Sequence, residues 1–131
     1  MEYGRVYTEA EVCAAGNDAE FRFADVVYTL TSVPLACIYG TAPQPADYRN
    51  GGPLNHYNDG TDDEVLYVRK MQAALDQLPP IVLSSDLRLW DGGHRWAAHA
   101  DAGRLTIAAF VASQTAEVMQ RRLNEDRERK S

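Results

Sequence analysis

The stretch that decides the fold runs from Pro80 to Val111, PIVLSSDLRLWDGGHRWAAHADAGRLTIAAFV. Ile81-Val82-Leu83 is an apolar run of buried-strand type, and Leu87 to Trp90 alternates as a second strand. Ser84-Ser85-Asp86 between them supplies the polar residues of a hairpin turn. Gly92-Gly93 breaks the second strand. His94 to Ala102 follows as an alanine-rich helix, with Gly103 where a helix commonly ends in a left-handed residue. Leu105 to Ala112 then returns as a strand. Strand, hairpin, helix and strand in this order predict an α/β (α+β) domain with a small mixed sheet and flanking helices.

The surrounding sequence extends the pattern. Thr8 and Glu11 stand in capping-box spacing at the start of a short helix, Thr8 to Ala15, which Gly16-Asn17-Asp18 stops. Phe21 to Val33 is rich in aromatic and β-branched residues and predicts one strand or a bent pair ending before Pro34. Leu35 to Tyr39 reads equally as strand or short helix. Gly40 to Gly60 is a polar, Pro- and Gly-rich loop. Thr61 to Glu64 repeats the capping-box spacing, and Val65, Val68, Met71, Leu75 and Leu78 make one apolar stripe that Pro79-Pro80 terminates. Ser113 is placed to cap a last helix with Ala116, Met119 and Leu123 on one face. The residues beyond Leu123 are nearly all polar and read as a solvated or frayed tail.

At 131 residues, with 45% hydrophobic and 24% charged residues, the chain is one domain's worth of globular sequence. We divide it into a divergent part (1–60), a motif-bearing core (61–112) and a C-terminal helix (113–131). No apolar run approaches the roughly 20 residues of a membrane helix, and the N-terminus does not resemble a signal peptide. The expectation is a cytoplasmic protein with no membrane partner. Two cysteines, Cys13 and Cys37, are too few for a disulfide framework, and each is expected to pack as a small apolar side chain. A net charge of −6, from 13 basic and 19 acidic residues, counts against nucleic acid as the main ligand.

The chemistry concentrates in Asp91-Gly92-Gly93-His94-Arg95. Glycines let the backbone approach a ligand closely. First-turn amides of a helix have no intrahelical acceptor and lie at the positive end of its dipole, which favours phosphate. Arg95 adds a forked cation. His94 can donate a hydrogen bond or a proton near neutral pH. Asp91, where the strand ends, can hold Mg²⁺ on the phosphates or accept a hydroxyl proton. Other constellations fall away. His94 and His99 lie five apart with no CxxC partner for zinc. No GxSxG elbow marks a serine hydrolase. Trp96 and His99 read as helix-packing residues.

From about Asp62 to Val111, in its "PPIVL" and "LRLWDG" strands, "GHRWAAHADAG" helix and "LTIAAFV" strand, the chain resembles the ParB/sulfiredoxin superfamily. The match covers roughly 50 residues, or about 40% of the sequence. The resemblance implies that Gly92, Gly93, His94 and Arg95 bind nucleotide phosphates, with ATP, ADP or another nucleoside triphosphate and Mg²⁺ as cofactors. Sulfiredoxins carry a cysteine immediately before the His-Arg pair, where this chain has Gly93, so sulfinic-acid reduction is disfavoured. Partition proteins carry an Arg-rich turn and a DNA-reading helix-turn-helix, neither of which follows here. The Asp-Gly-x-His-Arg form of free-serine kinases fits Asp91 to Arg95, although the acid those kinases place after the first strand is missing from Leu35 to Gly40. Three readings remain open. One is a phosphotransferase (kinase) acting on a small hydroxylated metabolite, with Asp91 and His94 catalytic. The others are a non-catalytic nucleotide-binding regulatory or interaction module, and a DNA-associated ParB-like nuclease.

Overall fold

The computed structural model describes residues 2–17, 25–40, 71 and 73–130. Their elements are β1 (Val6–Thr8), α1 (Glu9–Ala14), β2 (Val27–Pro34), β3 (Ile81–Leu83), β4 (Leu89–Asp91), α2 (Gly93–Asp101), β5 (Thr106–Ala112) and α3 (Ala116–Lys130). Single 3₁₀ turns occupy Leu35–Cys37 and Leu75–Gln77. The five strands form one mixed sheet in the order β1-β2-β5-β3-β4. β3 and β5 run parallel, and the other three pairings are antiparallel. This is the α+β class that the element order predicts.

Side-chain alternation sorts the core into two layers. On one face Tyr7, Tyr28, Leu30, Val82, Phe110 and Ala112 pack with Val12 of α1 and Met119 of α3. On the other, Val33, Ile81, Leu83, Ile107 and Ala109 pack with Trp96 and Ala97 of α2. The short strand β3 therefore contributes to both, Ile81 and Leu83 on the α2 side and Val82 on the α1/α3 side. That explains why a three-residue strand is apolar throughout and wholly buried.

The β3–β4 hairpin carries two irregularities that shape the chain's approach to the glycine turn. The Leu87 amide donates to Ser84 O (3.0 Å), and Leu87 itself adopts φ +69°, in the left-handed region that favours glycine. This extra left-handed residue delays β4, which starts at Leu89 rather than at Leu87. The register then shifts: Leu83 faces Leu89 and Val82 faces Asp91, so Trp90 is an inserted residue, a β-bulge directly before the glycine turn. The hairpin is tied down through Asp86, whose carboxylate accepts from Ser84 Oγ (2.6 Å), Tyr39 Oη (2.5 Å) and the Ala116 amide at the start of α3 (2.9 Å). The Ser84 and Tyr39 hydroxyls hold the Asp86 pKa down at about 2.

Several expectations change. β1 has no counterpart in the sequence reading. The stripe expected from Thr61 to Leu78 lies outside the described residues except at 71 and 73–78. Met71 is α-helical as expected, but the chain is in turns and a 3₁₀ turn from 73 to 77, so the stripe's last positions, Leu75 and Leu78, are not α-helical. Thr115 rather than Ser113 caps α3: Thr115 Oγ1 accepts from the Val118 amide (3.3 Å), while Ser113 Oγ accepts from the Val27 amide (3.3 Å). The polar tail is helical through Lys130, with Gln120 Nε2 donating to Asn124 Oδ1 across one turn. Cys37 is exposed and Cys13 half-buried, so neither is a fully buried packing residue. Among the described residues no helix is long and apolar enough to cross a membrane.

Candidate functional site

A cleft of about 410 Å³ opens at one end of the sheet, lined by Gly16, Asn17, Met71 and the whole run from Asp91 to Arg95. Every residue the sequence singled out for chemistry is thus brought to one place, together with the C-terminal end of α1.

The glycine turn is built from its own sterics. Gly92 adopts φ +104° and is the N-cap residue of α2, so the N-cap position has no side chain of its own to cap the helix. A Cβ on Gly92 would lie 2.6 Å from Ile81 Cγ2 and 3.0 Å from Arg95 Nη2. Neither backbone nor space admits another residue. The Trp96 amide donates to Gly92 O (2.9 Å), closing the first turn of α2. Ahead of it, the amides at the helix start have no acceptor within the helix and stand at the positive end of the α2 dipole.

Arg95 is the best-anchored member of the site, being 7% exposed. Its Nη1 donates to Pro79 O (3.1 Å) and Pro80 O (2.8 Å), and Nη2 donates to Asn17 Oδ1 (2.8 Å). Nη2 also stands 3.6 Å from Asp91 Oδ2, one helical turn back. Arg95 therefore differs from an outward-reaching phosphate clamp: its charge borders the cleft, but its directional donors bind the strand-leading carbonyls. Pro79 and Pro80 have no N–H to enter a ladder, and the guanidinium satisfies their carbonyls.

Asn17 is the residue that sequence reasoning missed. It is 8% exposed, and Nδ2 donates to Val12 O and Pro80 O, both at 3.2 Å, while Oδ1 receives Arg95. Its place after Gly16 at a helix end is the only local signal, and that signal speaks of a turn. Asp91 and His94 both line the cleft, so the two side chains expected to handle protons or a metal share it with the phosphate-binding turn. Among the described residues no group of three or more His, Cys, Asp or Glu could hold a metal ion by itself. A magnesium bound jointly by Asp91 and ligand phosphates requires no such group, because Mg²⁺ keeps most of its shell as water and phosphate oxygen.

His99 lies one turn beyond Arg95, outside the cleft, with Nδ1 2.8 Å from Arg95 O. Burial pushes its pKa below the usual histidine value. Asp91, His94 and Arg95 thus form the cleft constellation, and His99 does not join it. No family model matches the chain, and neither a curated protein nor a solved structure does.

Proposed function

We propose that this cleft binds the phosphates of a nucleotide, ATP, ADP or another nucleoside triphosphate with Mg²⁺, as the likeness of Asp62 to Val111 to the ParB/sulfiredoxin superfamily implies. The observation that carries the reading is that the Gly92-Gly93-His94 helix start lines a cleft bordered by the Arg95 cation. In this reading the backbone amides of Gly93 and His94 hold phosphate oxygens directionally. Arg95 holds the turn and supplies long-range charge, and Asp91 carries the magnesium.

Phosphoryl transfer to a small hydroxylated metabolite follows from the same placement. Transfer of this kind depends mainly on positioning and charge neutralisation. Asp91 as metal ligand or hydroxyl base and His94 as hydrogen-bond or proton donor meet that requirement within one cleft. A second reading, a nucleotide-binding regulatory or interaction module without turnover, is favoured by one observation: three of the Arg95 donors are engaged by Pro79, Pro80 and Asn17 of the protein itself.

Thermal unfolding in ATP, ADP or CTP with Mg²⁺ tests the binding, since a ligand at 100 times its Kd stabilises the native state by about 2.7 kcal/mol. His94→Ala is the suitable variant, because Arg95→Ala removes a buried strut and tests the fold instead. A nucleotide shift in the wild type that His94→Ala reduces is expected, and no shift with any of the three nucleotides sinks the reading. ADP release that depends on an added small alcohol then separates the enzyme from the module.

A further inference from the structure

A second recess, about 230 Å³, opens at the same end of the sheet, with Ser32, Thr106, His99 and Arg104 among its polar lining and Leu75 and Ile107 among its walls. Its origin is a mismatch of strand lengths. Ile81 opens β3 opposite Ala109, so Thr106 to Ala108 of β5 have no β3 residue beside them. The chain before Ile81 is Pro79-Pro80, which offers no N–H, and its carbonyls are held by Arg95. The ladder cannot extend there, and a slot remains.

The groups facing that slot are chemically asymmetric. The Nδ1 of His99 meets Arg95 O, and a carbonyl only accepts, so Nδ1 carries the hydrogen. Burial favours the neutral ring, in which Nε2 carries a lone pair, and among the described residues nothing donates to it. At the mouth, Arg104 Nη1 stands 3.4 Å from Asp76 Oδ1, with both side chains largely exposed. An exposed ion pair of this kind is weak and exchangeable. The slot therefore offers a cation at its rim, an acceptor deeper in, and the two hydroxyls of Ser32 and Thr106.

We propose that this recess is a binding site for a small hydroxy-carboxylate. The ligand's carboxylate takes the place of Asp76 on Arg104, and its hydroxyl donates to His99 Nε2. The volume corresponds to about eight water molecules at their share of the liquid, which gives room for an acid of glycolate or lactate size. The recess shares no lining residue with the Asp91–Arg95 cleft.

Titrating the full chain at pH 7.5 with glycolate, acetate and chloride at matched ionic strength, while following the His99 ring resonances by NMR, tests this. Expected are a saturable glycolate shift, at least about fivefold weaker binding of acetate, which has no hydroxyl to donate, and loss of both on Arg104→Ala. Arg104 is exposed, so its removal leaves the core intact, and Arg104→Gln, which keeps a polar stem, is expected to fail to bind likewise. Substitution His99→Leu is expected to erase the preference for glycolate over acetate. No saturable shift in the wild type, an equal shift with chloride (an adventitious ion only), or a shift that survives Arg104→Ala overturns the proposal.

Discussion

Arg95 Nη2 donates to Asn17 Oδ1 at 2.8 Å across 78 positions of sequence, joining the end of α1 to the start of α2. The contact is buried and involves a charged donor, a class worth about 1.5–3 kcal/mol. Asn17→Ala also leaves the Val12 and Pro80 carbonyls one donor short. We expect it to lower the unfolding free energy by about 2–3 kcal/mol in a urea titration; a loss under half a kcal/mol shows that the contact is incidental.

Gly92→Ala combines a left-handed φ with a Cβ only 2.6 Å from Ile81 Cγ2. The backbone term costs about 1–2 kcal/mol and the overpacking about 1–3 kcal/mol. Thermal unfolding should record one of the largest losses of any single methyl in the chain, and a near-wild-type midpoint contradicts the geometry.

His99 sets a pH dependence whose sign follows from burial. Its folded pKa lies below the ordinary histidine value of 6.5, so below pH 6.5 the unfolded chain binds a proton that the native state resists. Stability should fall as pH drops through that region. The slope contributed there should vanish in His99→Gln, and an identical slope in that variant disproves the assignment.

Asp86 acts in the same direction at lower pH, because its carboxylate form is the one stabilised. Its pKa is about 2 against an ordinary aspartate value of 3.8, so its contribution is complete above about 4 and disappears as pH falls through 2. Acid unfolding of Asp86→Asn should be flatter over that window than wild type.

Thr115 offers a test of the α3 cap. Thr115→Ala should cost about 1 kcal/mol, the usual value for an N-cap hydroxyl. Circular dichroism on chemical denaturation measures it, and an unchanged midpoint shows that the Asp86 contact to the Ala116 amide suffices alone.

Much of this arrangement is readable from residue order because the signals are local. Thr8 and Glu11 form the reciprocal cap that their spacing announces, with Thr8 N donating to Glu11 Oε1 at 3.0 Å. Gly103, at φ +78°, follows the end of α2 as expected. What escapes is decided across the sheet. Val6 to Thr8 is a strand only because β2 lies beside it, three residues being too few to show a period. Ser113 and Thr115 are equivalent cap candidates until the Val27 amide claims the serine hydroxyl. The charged tail is solvated, yet strings of Arg and Glu are good helix formers once a folded turn precedes them. At the cleft, Asp91 to Arg95 stands out by composition. The inward turn of Arg95 does not, because two of its acceptors are backbone carbonyls, which every sequence contains, and the third is Asn17, 78 positions away.

The position of β5 between β2 and β3 has a consequence for synthesis on the ribosome. As the chain emerges, β1 with β2 and β3 with β4 can each form a two-stranded ribbon, a unit of marginal stability by itself. Neither has a partner for its inner edge until Thr106 to Ala112 has left the exit tunnel. The β-sheet assembles only when this late strand slides between the two halves, so a nascent polypeptide stalled before residue 106 should remain sensitive to protease.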